Sequence, residues 1–193
     1  MAQTPHNHIP LPPDSAAGIQ PSQTQLRRLL VESQQLLDSL DRVESFRVRL
    51  QEQSDRQLLP TDLLAALLGE ADRLFPVVLS VVYLVDAETQ EFLFERCIPA
   101  ALRDDLFEEG QRHMAEGNFA RTLRRNRPTV CDSISLHHAY TRVRSVVLVP
   151  LTTLQAVHGM VLLAVERSEK DMTPPELTLL STLAVQTALA LEK

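Results

Sequence analysis

The chain has 193 residues, 44% of them hydrophobic, which suffices for one full domain, its core and an accessory segment. Nineteen basic against 25 acidic residues give a net charge of −6, which works against non-specific binding to DNA or anionic membranes. Aromatics make up only 4% and tryptophan is absent, so the core is mostly Leu, Val and Ala and stacking platforms for nucleic acid are scarce.

Residues 1 to 22 carry Pro5, Pro10, Pro12, Pro13 and Pro21 among polar residues without a hydrophobic period, the pattern of a disordered tail. His6 and His8 within it form an H-x-H pair with no third ligand in view, a weak metal catch at best. A helical arm is expected over 23–59. Leu26, Ser33, Leu40 and Arg47 share one heptad position, and Leu29, Leu36, Val43 and Leu50 fall three residues on. All but Ser33 and Arg47 are apolar, a coiled-coil seam rather than a globular core helix. Such an arm, about 45 Å long for roughly 30 residues, cannot bury its seam alone, and the simplest partner is a second copy.

Pro60 interrupts the arm and opens the domain expected over 60–193. Thr61 or Asp62 offers a cap for a helix bearing Leu63, Leu64, Leu67, Leu68, Ala71, Leu74 and Phe75, which Pro76 ends. Val77 to Val85 and Glu91 to Cys97 read as strands joined by a polar turn of hairpin length. Pro99 to Phe107 and His113 to Arg125 read as helices or helical turns, Thr129 to Cys131 as a short strand, and 132–144 as a polar loop. Val146 to Leu151 and Met160 to Val165 are short apolar runs that predict a second hairpin, with Gly159 marking a bulge or a close backbone approach. Thr173-Pro174-Pro175-Glu176 is a capping box with proline in the first turn, and it starts a last helix whose apolar face turns small in its second half.

Four groups of residues together resemble the C-terminal half of a GAF domain: Pro150-Leu151, Gly159 to Leu162, Thr173 to Glu176, and the Ala/Leu-rich run Leu179 to Leu191. Upstream, Glu116-Gly117-Asn118-Phe119-Ala120 and Arg127-Pro128-Thr129-Val130-Cys131-Asp132 are similar to that family's "EG-x-x-G" and "RP-x-x-x-D" segments, with Ala120 where the family usually has glycine. The resemblance covers roughly residues 60 to 193. It implies an α+β fold: an antiparallel sheet with the first and last helices on one face, a helical excursion over the other, and the long coiled-coil helix in front. It also implies a small-molecule pocket between sheet and excursion, and first and last helices that join a dimer bundle.

In such a pocket the lining residues would be Phe92, Phe94, Phe119, Cys131, His138, Tyr140, Arg142 and Arg144, apolar walls with a few polar groups. Arg142 and Arg144 would meet an anionic group. Simple core packing explains the two phenylalanines, and surface exposure the arginines, equally well. Cys131, Asp132, His137 and His138 hold the types needed for a thiolate pair or partial metal site; the plainer reading is a buried strand cysteine beside solvent-facing histidines. GAF domains that hold haem through a histidine or a bilin through a cysteine leave His113, His137, His138 and Cys131 as candidates, and no cofactor is assigned. The cyclic-nucleotide signature is missing, and two isolated cysteines, Cys97 and Cys131, supply neither a zinc motif nor the methionine sulfoxide reductase set.

Arg121, Arg124, Arg125 and Arg127 form the one local basic patch, read most simply as a solvated helix face near its C-terminus. No segment resembles a signal peptide or approaches the roughly 18 apolar residues of a membrane helix, so a reducing cytoplasm is the expected compartment. The function expected is a non-enzymatic sensory or regulatory GAF module in intracellular signalling, dimeric through its arm. The alternative is a GAF-fold scaffold with a degenerate pocket that acts through protein–protein contacts, and an enzyme using Cys131 ranks last.

Overall fold

Two antiparallel hairpins carry the architecture. In the computed structural model, which describes residues 23–54, 59–132 and 140–192, β1 (Val77–Val85) turns into β2 (Phe92–Ile98) through a turn held by Asp86. The Asp86 carboxylate accepts hydrogen bonds from the Glu88 and Thr89 amides at 2.9 and 2.8 Å, the local bond that makes aspartate a turn former. The second hairpin joins β4 (Ser145–Thr152) to β5 (Val157–Val165), and the three-residue β3 (Thr129–Cys131) pairs with β4. The sheet runs β2-β1-β5-β4-β3 and every neighbouring pair is antiparallel.

Helices cover both faces. Before β1 lies α2 (Pro60–Leu74), and after β5 comes α5 (Pro174–Leu191). Between β2 and β3 the chain makes α3 (Arg103–Ala115) and α4 (Asn118–Arg125). The strict period of two in the strands divides the core. Val147, Val149, Leu151, Val161, Leu163 and Val165 point to the side where α2 and α5 pack, while Val146, Leu148, Met160, Leu162 and Ala164 point to the side of Leu106 and Phe119 from α3 and α4. First and last helices therefore share one face and the excursion takes the other.

The caps differ in detail from expectation. Neither Thr61 nor Asp62 caps α2: Leu59 is the N-cap and Pro60 takes the first helical position, where its missing amide costs nothing. At α5 the Thr173 amide and hydroxyl both donate to Glu176 Oε2 at 2.8 Å. Arg167 closes the corner, donating to Glu176 Oε1 at 2.8 Å and lying over the Phe75 ring at 5.6 Å. Gly159 satisfies both sequence expectations. The register skips His158 between Thr152–Val157 and Leu151–Gly159, and a Cβ at Gly159 would overlap the Tyr83 carbonyl of the neighbouring strand.

The described residues divide into a first unit ending at Asp38 and a second starting at Ser39. Helix α1 (Gln23–Ser54) runs from one into the other. In the first unit Leu26, Leu29, Leu30, Val31, Leu36 and Leu37 are all exposed. In the second unit Phe46 and Leu50 belong to the core with α2 and α5, and Val43 packs against it. Leu50 and Val43, expected in the dimer seam, are thus used within the protomer. They share the heptad position of Leu29 and Leu36, so the period alone does not separate an intermolecular from an intramolecular use. No helix among the described residues is long and apolar enough to cross a membrane.

Candidate functional site

The sheet face under α3 and α4 is filled with rings. Tyr83 of β1 meets Phe94 of β2 and Phe119 of α4 edge-on, each at 5.5 Å between centroids, and Phe92 meets Phe119 at 5.2 Å. Edge-to-face pairs place the positive ring rim on a negative face, worth about 0.5–1.5 kcal/mol each beyond burial. A bulge in β2 enables this packing. Val82 pairs with Arg96 and Tyr83 with Phe94, so Glu95 is the extra residue, and Phe92, Phe94 and Cys97 all face the same cluster despite their uneven spacing.

Above the rings lies a polar network. The His113–Arg125 stretch, read from the sequence as one helical segment, breaks at Gly117, whose φ of 73° is in the left-handed region that glycine enters without strain. The break folds α4 back on α3, which brings Asn118 to His113. Asn118 Nδ2 lies 2.9 Å from His113 Nδ1 and 2.9 Å from Glu116 Oε2, while Asn118 Oδ1 accepts from Arg121. Those two flanking bonds fix the amide orientation, so Nδ2 donates to Nδ1 and the imidazole proton belongs on Nε2, 3.2 Å from Glu109 Oε1. Arg112 completes the set, donating from Nη2 to Glu109 Oε1 at 2.5 Å and from Nη1 to Glu116 Oε1 at 2.7 Å.

Glu109 and His113 are buried to within 2% of their surface, so this is a desolvated ion pair with a buried imidazole wedged against it. Sequence reasoning missed Glu109, Arg112 and Asn118. The available signal was the four-residue step from Glu109 to His113, which puts carboxylate and imidazole on one helix face. Two hydroxyls in the same layer, Tyr83 and Thr122, are buried without a hydrogen-bond partner among the described residues. Burial drives the Tyr83 phenol well above its ordinary range, with the charges of Cys97 and Glu109 adding to it.

Of the residues expected to line a pocket, Phe92, Phe94, Phe119, Cys131 and Tyr140 do come together around this cluster. Tyr140 donates to Asp105 Oδ2 at 3.0 Å and thereby ties the end of the 132–144 segment to α3. Arg142 and Arg144 stand apart. Both are exposed, with the buried Val143 between them taking the inward position, and Arg142 pairs with Glu166 at the end of β5. His137 and His138 lie outside the described residues. His113 is corrected as a haem candidate, because both ring nitrogens face partners and the side chain has no exposed surface. Burial pushes the Cys131 thiol up, against the opposing pull of Arg121 and Arg112, so it is a poor nucleophile at neutral pH. Among the described residues no three His, Cys, Asp or Glu side chains gather as metal ligands.

Comparison with known proteins gives one consistent result. The GAF domain family model matches residues 57–192. No curated protein matches the sequence. Among solved structures, the GAF domain of an Acinetobacter phosphoenolpyruvate-protein phosphotransferase superposes with a TM-score of 0.54 at 17% identity, covering 81% of this chain and 92% of that one. A GAF domain from Synechocystis sp. PCC6803, solved in its photoproduct state, gives 0.52 at 15% identity over 69% and 93%. The GAF domain/HD domain protein from Geobacter sulfurreducens gives 0.51 at 17% over 70% and 93%. At these identities the likeness is one of fold.

Proposed function

The chain belongs to the GAF domain family, and on that premise we propose that it is a non-enzymatic sensory module that dimerises through α1 and relays a small-molecule or partner signal in intracellular signalling. The observation that carries this reading is the exposed apolar stripe of the arm. Leu36 and Leu40 are 63% and 65% exposed on a helix of 32 residues, and Leu26 and Leu29 continue the same stripe. Partnering by a second copy would remove that surface from water at about 25 cal/mol per Å². The division into a tail to residue 22, an arm over 23–59 and a GAF-like domain over 60–193 belongs to the same proposal, with Phe46 and Leu50 anchoring the arm's end in the domain core.

Relay would run through the sheet. Successive residues of β5, such as Leu162 and Leu163, belong to the ring-filled face and to the α2–α5 face respectively, so a shift at one face strains the other. In this reading Phe92, Phe94, Phe119, Cys131 and Tyr140 form the sensing side, while Arg142 and Arg144 lie outside it. The test is native mass spectrometry of the full chain purified from its own host. A dimer with added mass supports the sensor.

The second reading, a scaffold with a degenerate pocket, is favoured by one specific observation: the Tyr83, Phe94 and Phe119 rings pack against one another where a ligand would lie. In the same experiment a bare dimer that captures a protein partner supports this scaffold.

A further inference from the structure

We propose that the end of the domain formed by the β4–β5 turn and the C-terminus of α4 is a docking surface for an acidic, leucine-bearing peptide segment of another protein. It lies away from the sensing side and does not depend on it. A groove of about 950 Å³ opens here, with apolar walls from Leu84, Leu123, Val157 and Leu191. Leu154, at the tip of the turn, lines it while fully exposed at 105%. The turn presents that leucine on a closed loop: the Thr153 amide donates to the Ala156 carbonyl at 2.9 Å and the Ala156 amide to Thr153 Oγ1 at 3.1 Å. Thr152 in turn donates to Asn126 Oδ1, which fixes the end of α4 against the hairpin.

Charge supplies the rest. Asn126 and Leu123 line the groove, and their sequence neighbours Arg124, Arg125 and Arg127 are exposed, with no ion-pair partner among the described residues. The helix dipole accounts for Arg124 and Arg125 in the last turn of α4, but not for Arg127 beyond it or for Leu154. Guanidinium forks match carboxylates in pairs, and a fully solvated leucine beside an apolar groove matches aliphatic side chains. Carboxylates flanking leucines are the partner chemistry that meets both. A nucleic acid fits less well, since the groove lining holds no Phe, Tyr or Trp on which bases would stack.

The experiment is fluorescence anisotropy of the full chain with a labelled synthetic peptide about four helical turns long, with leucine at three- and four-residue steps and glutamate elsewhere. Saturable binding is expected, weakened about tenfold or more by Leu154→Glu and likewise by the combined Arg124→Glu, Arg125→Glu and Arg127→Glu variant. Raising the salt should weaken the wild type and leave the arginine variant little changed. All four positions are exposed, so unchanged far-UV circular dichroism is expected for both variants. Equal binding of the lysine-for-glutamate peptide, or binding unaffected by Leu154→Glu, overturns the proposal. Displacement of the peptide by a single-stranded oligonucleotide that needs the same arginines reassigns the surface to nucleic acid.

Discussion

A Cβ on Gly110 would overlap the hydroxyl of Tyr83, so the ring that centres the aromatic cluster is seated against the bare backbone of α3. Gly110→Ala gains helix propensity, about 1 kcal/mol, but it forces either α3 or a ring packed by Phe94 and Phe119 to move. Overpacking of this kind costs about 1–3 kcal/mol, so a net loss is predicted by urea denaturation. Tyr83→Phe removes a hydroxyl that has no partner among the described residues and should be close to neutral. The double variant should recover part of the loss, because the ring carbon bearing the hydroxyl also lies close to the added methyl.

Asn118→Ala removes the donor facing His113 Nδ1 and the acceptor for Arg121 together. A buried nitrogen left unsatisfied costs about 1–3 kcal/mol, and that loss is expected in chemical denaturation. Nitrogen shifts of the His113 ring should report the proton on Nε2 in the wild type and a change of environment at Nδ1 in the variant.

Burial raises the Glu176 carboxyl, but the hydrogen bonds from Arg167 and Thr173 outweigh it and hold the group below the usual carboxylate range. A carboxyl depressed in the folded state contributes stability above its unfolded value of about 4.3, and that contribution is lost as pH falls through the folded value. Thermal melts of Glu176→Gln should therefore show a loss of about 1 kcal/mol at pH 7 and a shallower decline than the wild type below about pH 4.5.

Most of the fold was legible because its signals are local. The β-branched runs at 146–151 and 160–165, the Gly159 contact and the Thr173–Glu176 cap each act within a few residues. The buried network was not legible, since it needs α4 folded back on α3 and that reversal hangs on one positive φ at Gly117. Arg142 and Arg144 were misplaced for a reason the sequence does contain. A period of two around the apolar Val143 turns both outward. The fate of α1 was half legible: the heptad marks an apolar face, but only tertiary packing assigns Phe46 and Leu50 to the domain core.

With its thiol raised by burial, Cys131 should alkylate slowly. In a Cys97→Ser background, iodoacetamide labelling at pH 7.5 is expected to run several-fold slower than for a free cysteine of pKa about 8.5. Denaturant should restore the free rate. Labelling as fast as free cysteine in the folded protein would return Cys131 to the list of reactive groups.

The central claim is that α1 pairs with a second copy, and analytical ultracentrifugation of the full chain tests it most directly. Leu29 and Leu36 lie on the exposed stripe, at 55% and 63% exposure, while Phe46 and Leu50 hold the arm's end in the core. The wild type should sediment as a dimer, and Leu29→Glu with Leu36→Glu should sediment as a monomer whose domain melts at an unchanged temperature. A monomeric wild type, or a dimer that survives both substitutions, contradicts it.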